Sequence, residues 1–339
     1  MATAVSTPNI AFIKYWGNRN GELRLPVADS LSMTLDSPTV EVTIESADKF
    51  SVQSQKELSP KEVERFKKHL ELTKKYLEQK SYKLKSISYK LTIRSKIPPA
   101  IGLASSAAVF SAVAKAYAEL FKESGIELTD EQTSVIARLG SGSAARSVLG
   151  GFVALQNLKT KNYQLKTDAI DIAVAVQIAP AFHWPLHDIV IASSLDEKKV
   201  GSTEGHHLAH TSPYYEERLR QMPHRQQECI DAILQKDFEK LQRVAEEDAL
   251  DLHKVAETSN PPLQYLNSET HRILHEVIAL RTQKHLAVLY TMDAGPTVHL
   301  ICTEEAVKTV KEFSYAQKDC TVFETKVGSG TKCQEKVHC

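Results

Sequence analysis

Two short segments rich in glycine and serine precede stretches typical of helices, and such segments can bind anions. The first is Gly102-Leu103-Ala104-Ser105-Ser106-Ala107, and the second is Gly140-Ser141-Gly142-Ser143-Ala144-Ala145-Arg146. A helix N-terminus presents free N–H groups and positive partial charge, and an arginine fork fits carboxylate or phosphate. The first segment matches neither a Walker A nor a GxGxxG motif. It could also be a tight turn before a packing helix, and the second could be an N-capping serine with a surface arginine. The two together favour a substrate with several negative charges.

A lysine and an aspartate that lie far apart in the sequence could form an acid–base pair. Lys14 interrupts an apolar run that begins at Ile10, and a lysine in such a run must pair or extend its amine to water. Asp293 follows a predicted strand and precedes the turn formed by Gly295 and Pro296. Taken singly, a solvent-reaching lysine and a turn aspartate explain both residues. Taken together, they could be a general base and its cation.

Two groups of histidines could suggest a metal site, but neither is complete. His206, His207 and His210 lie in a segment that we predict to be a flexible loop, and His271 and His275 lie one helical turn apart. Zinc sites need three or four ligands, and no further ligand is evident for either group. We therefore interpret these histidines as solvated or core residues, and the sequence leaves the metal ligands unknown.

The composition excludes several classes of protein. Among 339 residues, Lys and Arg number 42 and Asp and Glu number 42, so the net charge is 42 − 42 = 0 and lacks the basic excess of a nucleic-acid binder. The most apolar stretch, 169–181, is too short and polar to span a bilayer, and the first 16 residues do not resemble a signal peptide. Five scattered cysteines without a CxxC pair favour reduced thiols, and hence a cytoplasmic protein.

Hydrophobic periodicity and capping signals predict the elements that must position these residues. In the first half we predict two strands within 39–52, a helix over 59–79, a strand over 88–95, helices from about 105, 129 and 143, and strands near 152–156, 172–178 and 188–193. In the second half we predict a mostly helical stretch over 212–257 with a kink at Pro223, a helix over 267–282, strands over 285–293 and 297–302, a helix over 304–315 and a strand over 320–325.

Length and element order predict the fold class. The chain exceeds the roughly 250–300 residues at which a single core stops growing, so we expect two domains, with a boundary near Pro185. Both halves mix strands and helices without a regular βαβ repeat. The α+β class is therefore predicted.

Taken together, these segments resemble the mevalonate diphosphate decarboxylases, a family in the superfamily of galactokinase, homoserine kinase, mevalonate kinase and phosphomevalonate kinase. No single segment is specific, whereas the combination is, and it spans nearly the whole chain. The matching segments are Ile13-Lys14-Tyr15-Trp16-Gly17, Ser30-Leu31-Ser32, Pro98 through Ala107, Ser141 through Ser147 and Met292-Asp293-Ala294-Gly295-Pro296, with weaker matches at Ser202-Thr203, His253 and Pro261-Pro262-x-x-Tyr265-Leu266.

The resemblance implies an enzyme that uses ATP and Mg²⁺. ATP would phosphorylate the tertiary 3-hydroxyl of mevalonate 5-diphosphate, and loss of that phosphate and of CO₂ would give isopentenyl diphosphate, a step of isoprenoid biosynthesis. The implied fold has a ribosomal-S5-like N-terminal lobe and a ferredoxin-like C-terminal lobe, with the active site in the cleft between them. We assign the lobes to residues 1–184 and 185–339. The resemblance also implies a homodimer, and the composition predicts that the protein binds no nucleic acid and no membrane.

The resemblance implies a role for each matching residue. Asp293 would orient or deprotonate the 3-hydroxyl, Lys14 would keep Asp293 ionised, and Arg146 would hold the substrate carboxylate. Gly102, Leu103, Ala104, Ser105, Ser106 and Ala107 would wrap the ATP phosphates. The remaining substrate-binding residues would be Tyr15, Trp16, Gly17, Asn18, Arg65, Ser141, Gly142, Ser143, Ala144, Ala145, Ser202 and Thr203.

Four positions depart from the family pattern, and they concern the phosphate end of the substrate more than the chemistry. Asn18 stands where the family commonly has lysine, and Asn20, Ala28 and Thr297 replace an aspartate and two asparagines. Loss of a charged hydrogen bond to phosphate costs ~1.5–3 kcal/mol, and Arg19 could compensate from the next position. Three alternatives therefore stay open: decarboxylation of mevalonate 5-phosphate, a 3-kinase that releases no CO₂, and a nucleotide-binding protein without catalysis.

Overall fold

The structure is a computed structural model that describes residues 1–82, 88–97, 105–157, 169–193 and 201–334. Within these ranges the chain forms three larger sheets, a two-stranded ribbon and helices packed against them. The strands, numbered in chain order, are β1 (Ala2–Ser6), β2 (Asn9–Ile13), β3 (Asn18–Asn20), β4 (Leu25–Pro26), β5 (Ser30–Thr34), β6 (Val40–Ala47), β7 (Ser51–Ser54), β8 (Ser88–Ser95), β9 (Phe152–Asn157), β10 (Ala173–Ala179), β11 (His187–Ala192), β12 (Val288–Thr291), β13 (Val298–Cys302), β14 (Thr321–Lys326) and β15 (Lys332–Cys333).

The sheets follow from alternating burial along their strands. In β6, Val40, Val42 and Ile44 are fully buried while the residues between them are half-buried, as expected for a sheet with one covered face. The first sheet has the order β15-β1-β6-β8-β7, and among the described strands of this sheet only β7 and β8 pair in parallel. The second has the order β10-β9-β5-β2, and the third, from the second half of the chain, has the order β12-β13-β11-β14.

Capping residues define where several helices begin. Ser59 with Glu62, and Thr129 with Gln132, form reciprocal capping boxes that satisfy free N–H groups at the first turn. The helices are α1 (Pro60–Gln79), α2 (Ser105–Lys122), α3 (Asp130–Gly140), α4 (Ala144–Val148), α5 (Ser202–Leu208), α6 (Tyr215–Gln235), α7 (Phe238–Glu257), α8 (Ser268–Lys284) and α9 (Val307–Tyr315). None of the helices in the described ranges is long and apolar enough to cross a membrane.

The predicted α+β class is confirmed, and most predicted elements are present, with one correction. The mostly helical stretch over 212–257 forms two helices: α6 continues through Pro223 and ends at Lys236, whose φ of 57° lies in the left-handed region. The segment 206–210 is not a loop, because His206 and His207 belong to α5 and His210 to a 3-10 turn. At Gly205, α5 packs so closely against Trp16 and Tyr265 that only glycine fits. This tertiary packing explains why the segment forms an ordered helix.

The elements from the two halves of the chain meet around β2. Helix α7 packs against both β2 and β12, so one helix supports the strand end that carries Lys14 and the strand end that precedes Asp293. The last strand, β15, returns to pair with β1 in the first sheet. One short C-terminal strand thus lies in the first sheet. The boundary between two lobes at residues 184 and 185 remains a prediction.

Candidate active site

A pocket with about 840 Å³ of empty volume, its open mouth included, is lined by residues from both halves of the chain. The pocket brings together Lys14 and Asp293, which lie 279 positions apart in the sequence. Twelve predicted site residues line it: Lys14, Tyr15, Trp16, Arg65, Ser106, Ser141, Gly142, Ser143, Arg146, Ser202, Thr203 and Asp293.

Lys14 and Asp293 form an ion pair at the pocket. Lys14 follows the last residue of β2, and Asp293 lies two residues beyond β12. The Lys14 Nζ donates to Asp293 Oδ1 at 2.8 Å, with the lysine side chain 2% exposed and the aspartate side chain 30% exposed. The lysine is therefore paired and buried rather than extended to solvent, while the carboxylate remains accessible from the pocket.

A buried charge network holds the backbone of Lys14. The Lys14 N–H donates to Asp248 Oδ2 at 2.7 Å, and Arg218 Nη2 donates to the Lys14 carbonyl at 3.4 Å. Arg218 also donates to Asp248 at 3.1 Å and to Asp251 at 3.0 Å. Nearby carboxylates raise the pKa of Arg218 against the opposing effect of burial. Because α6 and α7 supply these residues, two helices fix the lysine on both sides of its Cα.

Arg146 lies at the pocket with its guanidinium held from behind. Its Nε donates to Ser32 Oγ at 2.9 Å, its Nη1 to Ser30 Oγ at 2.6 Å and its Nη2 to Asn9 Oδ1 at 3.2 Å. Burial lowers the pKa of Arg146 to about 10, and Asp293 opposes that effect, so the group stays cationic at neutral pH. Of the five N–H groups of an arginine, these bonds leave two to face an anion.

Serine hydroxyls connect the two glycine- and serine-rich segments. Ser106, in the first turn of α2, is 3.1 Å from Ser141 in Oγ–Oγ distance, and Ser141 is 3.4 Å from Ser143. Gly142 lies against Tyr15, and a Cβ there would be 2.2 Å from the tyrosine ring. Ser202 and Thr203 reach the same pocket from α5. The two predicted anion-binding segments are therefore neighbours in space.

Aromatic side chains and a histidine form one wall of the pocket. Gly17 has a φ of +94° and donates its N–H to His206 Nδ1 at 2.9 Å. The His206 ring lies 4.4 Å from Tyr15 and 4.9 Å from Trp16, centroid to centroid. Burial lowers the pKa of His206 to about 3, so it is neutral at physiological pH. Burial raises the pKa of Tyr15 to about 12, so its hydroxyl keeps its proton and donates to Asn18 Oδ1.

Two arginines supply positive charge at one end of the pocket. The Arg65 Nη2 donates to the Gly140 carbonyl at 2.7 Å, and its guanidinium lies 4.6 Å from the centroid of Phe110. Burial lowers the pKa of Arg65 to about 10. Arg24 also lines the pocket, which the sequence analysis missed. Arg19 does not line it and instead donates to Asn157 Oδ1 at 3.1 Å.

Several predicted site residues do not line the pocket. Ser105 is exposed at the start of α2, and Ala107 is fully buried behind it. Ala144 and Ala145 are fully buried in the core. Gly17 donates a hydrogen bond to His206, and Asn18 accepts one from Tyr15, so both contact residues that line the pocket. Gly102, Leu103 and Ala104 lie outside the described residues.

Five lining residues were not among the predicted site residues: Ala11, Arg24, His206, Leu252 and Ala294. Three of them are apolar, so their residue type carries no signal for a site. The position of His206 in the sequence, shortly after Ser202 and Thr203, indicates a place near the site, although the segment is predicted to be a loop. Arg24 carried a weaker signal, as a second arginine shortly after the Lys14 segment.

The pocket fits a magnesium ion that accompanies phosphate groups. Among the residues described in this structure, no group of three His, Cys, Asp or Glu side chains could hold a metal by itself. Mg²⁺ is usually bound by one or two carboxylates together with substrate phosphates and water. Asp293 and the Ser106 hydroxyl are oxygen donors that line the pocket. This donor set suits a metal brought in with a nucleotide.

Comparisons with known proteins agree with this geometry. Residues 6–166 match the family model of the diphosphomevalonate decarboxylase-like N-terminal domain, and residues 189–336 match that of the mevalonate 5-diphosphate decarboxylase C-terminal domain. The chain is 34% identical to the diphosphomevalonate decarboxylase of Ganoderma lucidum, over 92% of this chain and 80% of that protein. It is 32% identical to the human diphosphomevalonate decarboxylase, over 92% of this chain and 78% of that protein.

Solved structures show the same fold. The mevalonate diphosphate decarboxylase of Staphylococcus aureus superposes with a TM-score of 0.86 at 26% identity, over 98% of both chains. A structure described as MDDEF in complex with MVAPP, AMPPCP and magnesium superposes with a TM-score of 0.84 at 27% identity, over 99% of both chains. The two-lobed α+β fold implied by the resemblance is thereby confirmed, and the chain belongs to the diphosphomevalonate decarboxylase family.

Proposed function

We propose that the protein catalyses the ATP-dependent decarboxylation of mevalonate 5-diphosphate to isopentenyl diphosphate, with release of ADP, phosphate and CO₂. The observation that carries the proposal is the Lys14–Asp293 ion pair in one pocket with Arg146. A tertiary alcohol that also bears a carboxylate needs a base for the first group and a cation for the second. Family membership, at 34% identity to one decarboxylase, supports the same reaction.

Asp293 is the group that activates the 3-hydroxyl. Its carboxylate accepts the hydroxyl proton as the oxygen bonds to the terminal phosphorus of ATP, and ADP leaves with the electrons of the broken P–O bond. Lys14, 2.8 Å away, orients the carboxylate and favours its ionised form. Because Lys14 is held by Asp248 and Arg218, the pair keeps its position during the reaction.

Arg146 positions the carboxylate that is lost. Its two remaining N–H groups suit a bidentate bond to that carboxylate. When the bond between C3 and the new phosphate breaks, its electron pair leaves with the phosphate. The electrons of the C1–C2 bond then form the C2=C3 double bond, and CO₂ departs. A fixed carboxylate keeps the breaking C1–C2 bond aligned with the developing cation at C3.

ATP and Mg²⁺ are the cofactors of this reaction. Bound magnesium supplies charge neutralisation on the phosphates. Ser106, Ser141 and Ser143 supply neighbouring hydroxyls for phosphate oxygens. Support comes from the similar structure described in complex with MVAPP, AMPPCP and magnesium. Gly102, Leu103 and Ala104 would extend this phosphate-binding segment towards ATP.

The lobe boundary, the oligomeric state and the location also belong to this proposal. We assign lobes to residues 1–184 and 185–339, and a homodimer in the cytoplasm, on the resemblance and on the pattern of scattered cysteines. Two family models that match 6–166 and 189–336 support a boundary between those ranges. Light scattering of the purified protein would test the dimer.

Product stoichiometry tests the function. Purified protein is incubated with MgATP and (R)-mevalonate 5-diphosphate, and ADP and CO₂ are followed in parallel. Release in a one-to-one ratio is the expected result. ADP without CO₂ would make the protein a kinase, and the absence of both would contradict the proposal.

The neutral Asn18 makes mevalonate 5-phosphate the second candidate substrate. The Asn18 side chain accepts a hydrogen bond from Tyr15. Because an amide is uncharged, it brings no charge to the phosphate end of the substrate. The same assay with the monophosphate gives a second kcat/KM. A higher kcat/KM for the diphosphate is expected, because Arg24 and Arg65 together supply two cations at this pocket.

A further inference from the structure

We propose that Arg24 binds the phosphate-bearing end of the substrate and determines specificity for it. This inference rests on the proposed function and adds a residue that the sequence analysis did not identify. Arg24 lies on the turn between β3 and β4 and lines the pocket beside Tyr15 and Arg65. It takes the place of the positive charge that Asn18 does not provide.

The guanidinium of Arg24 is available to a ligand. In the described part of the chain, the only hydrogen bond at Arg24 involves its backbone carbonyl, which accepts from the Tyr15 hydroxyl at 3.4 Å. Among the described residues, no carboxylate contributes to the pKa of Arg24, whereas Arg65 donates to the Gly140 carbonyl and Arg19 donates to Asn157. A half-buried arginine whose guanidinium has no acceptor among the described residues suits an anionic ligand.

The backbone around Arg24 is held in an uncommon conformation. Arg24 has a φ of 48°, in the left-handed region that favours glycine. Residues on both sides are anchored, since the Leu23 carbonyl accepts from Arg138 and Leu25 is fully buried in the core. Such conformations persist where the surroundings enforce them, and they concentrate at ligand-binding sites. The turn therefore directs a long cationic side chain to one fixed place.

Two like charges share this end of the pocket. Arg24 and Arg65 both line this pocket, and after burial Arg24 is the largest cause that lowers the pKa of Arg65. Arg24 also contributes to lowering the pKa of His206. A phosphate or diphosphate ester would relieve this repulsion and accept from both arginines. Arg146 and Asp293 are electrostatically coupled to each other, so the carboxylate and hydroxyl of the substrate belong with them.

The test compares Arg24→Gln with Arg19→Gln, which removes the same charge from the neighbouring arginine outside the pocket. We expect Arg24→Gln to raise the KM and the Kd for (R)-mevalonate 5-diphosphate by roughly ten- to a hundredfold, as for loss of a charged hydrogen bond. The KM for ATP should change by less than about threefold. Arg24→Lys should recover part of the affinity. Arg24→Asn is the second variant if Arg24→Gln does not fold, because asparagine tolerates a positive φ.

The outcomes separate the two claims. An unchanged Kd for the diphosphate in Arg24→Gln would overturn the role of Arg24, as would a larger effect of Arg19→Gln. If the unmodified protein turned over no mevalonate phosphate, the proposed function would fail. The Kd of inorganic pyrophosphate, measured by calorimetry for the unmodified protein and for Arg24→Gln, would still decide whether Arg24 binds phosphate. Equal pyrophosphate affinity would reject it.

Discussion

Individual side chains in this pocket are fixed by partners that themselves are buried. Arg146 is the clearest case, because Ser30, Ser32 and Asn9 each accept one of its N–H groups. A guanidinium held in this way loses little further freedom when it binds a carboxylate, which is why preorganised arginines bind planar anions well.

Replacing Arg146 by lysine should separate charge from geometry. Arg146→Lys keeps the cation but loses the fork, so kcat/KM for mevalonate 5-diphosphate should fall by about a hundredfold or more. Ser30→Ala removes only one supporting bond and should cost about tenfold or less. Steady-state kinetics measures both, with thermal unfolding to confirm the fold. Full activity in Arg146→Lys would show that the carboxylate is held elsewhere.

At the scale of elements, helices α6 and α7 hold the backbone of Lys14, the proposed cationic partner of Asp293. Asp248 accepts the Lys14 N–H and the guanidinium of Arg218, whereas Asp251 contacts Arg218 and Arg225 but not Lys14. Asp248 is thus a positioning residue, since it acts through Lys14.

Asp248→Asn and Asp251→Asn form a matched pair of variants. Both should destabilise the fold, by about 3 kcal/mol for the fully buried Asp248 and by less for Asp251. Below the unfolding temperature of each variant, Asp248→Asn should lower kcat by about tenfold or more with little change in KM, because Lys14 shifts relative to Asp293. Asp251→Asn should leave kcat within about twofold. Equal kcat values in the two variants would reduce Asp248 to a structural role.

Helices and strands could be predicted from the sequence where a capping motif or a hydrophobic alternation marks them. Helix α1 begins at the predicted capping box, and the alternation that predicts β6 matches its burial. The break at Lys236 could not be predicted, because a left-handed helix end at a lysine has no composition signal. Helix α5 could not be predicted either, because it depends on tertiary packing against Trp16 and not on its local sequence.

The site could be predicted only in part, for a related reason. The motif residues Lys14, Arg146 and Asp293 were found because the resemblance joins distant segments. Arg24 and His206 were missed because their importance comes from where the turn and α5 place them. Arg19 was the expected compensating cation, and the structure instead directs Arg24 to the pocket.

At the scale of the whole molecule, burial of neutral histidines makes stability depend on pH. Burial lowers the pKa of His69 to about 4 and those of His206 and His253 to about 3. An unfolded histidine has a pKa of about 6.5, so between these values the unfolded chain binds more protons. The contribution of these residues is therefore full above about pH 6.5 and is lost as the pH falls towards 4.

Denaturant titrations at pH values from 7 to 5 measure this effect. Each histidine should contribute a slope of at most about 1.4 kcal/mol per pH unit. Buried carboxyls such as Glu246, whose pKa burial raises, act in the opposite sense. The difference between the unmodified protein and His69→Gln isolates one histidine, and the variant should show the shallower loss of stability. Identical slopes would contradict the account of His69.

The Lys14–Asp293 contact joins elements from the two halves of the molecule, and the proposed chemistry depends on this contact. The most direct measurement is ADP and CO₂ release from MgATP and mevalonate 5-diphosphate by Asp293→Asn, beside the unmodified protein. The rates of ADP release and CO₂ release should fall together by about a thousandfold or more, because the variant lacks the base that acts before either product forms. Undiminished turnover by a folded Asp293→Asn variant would contradict the account at its centre.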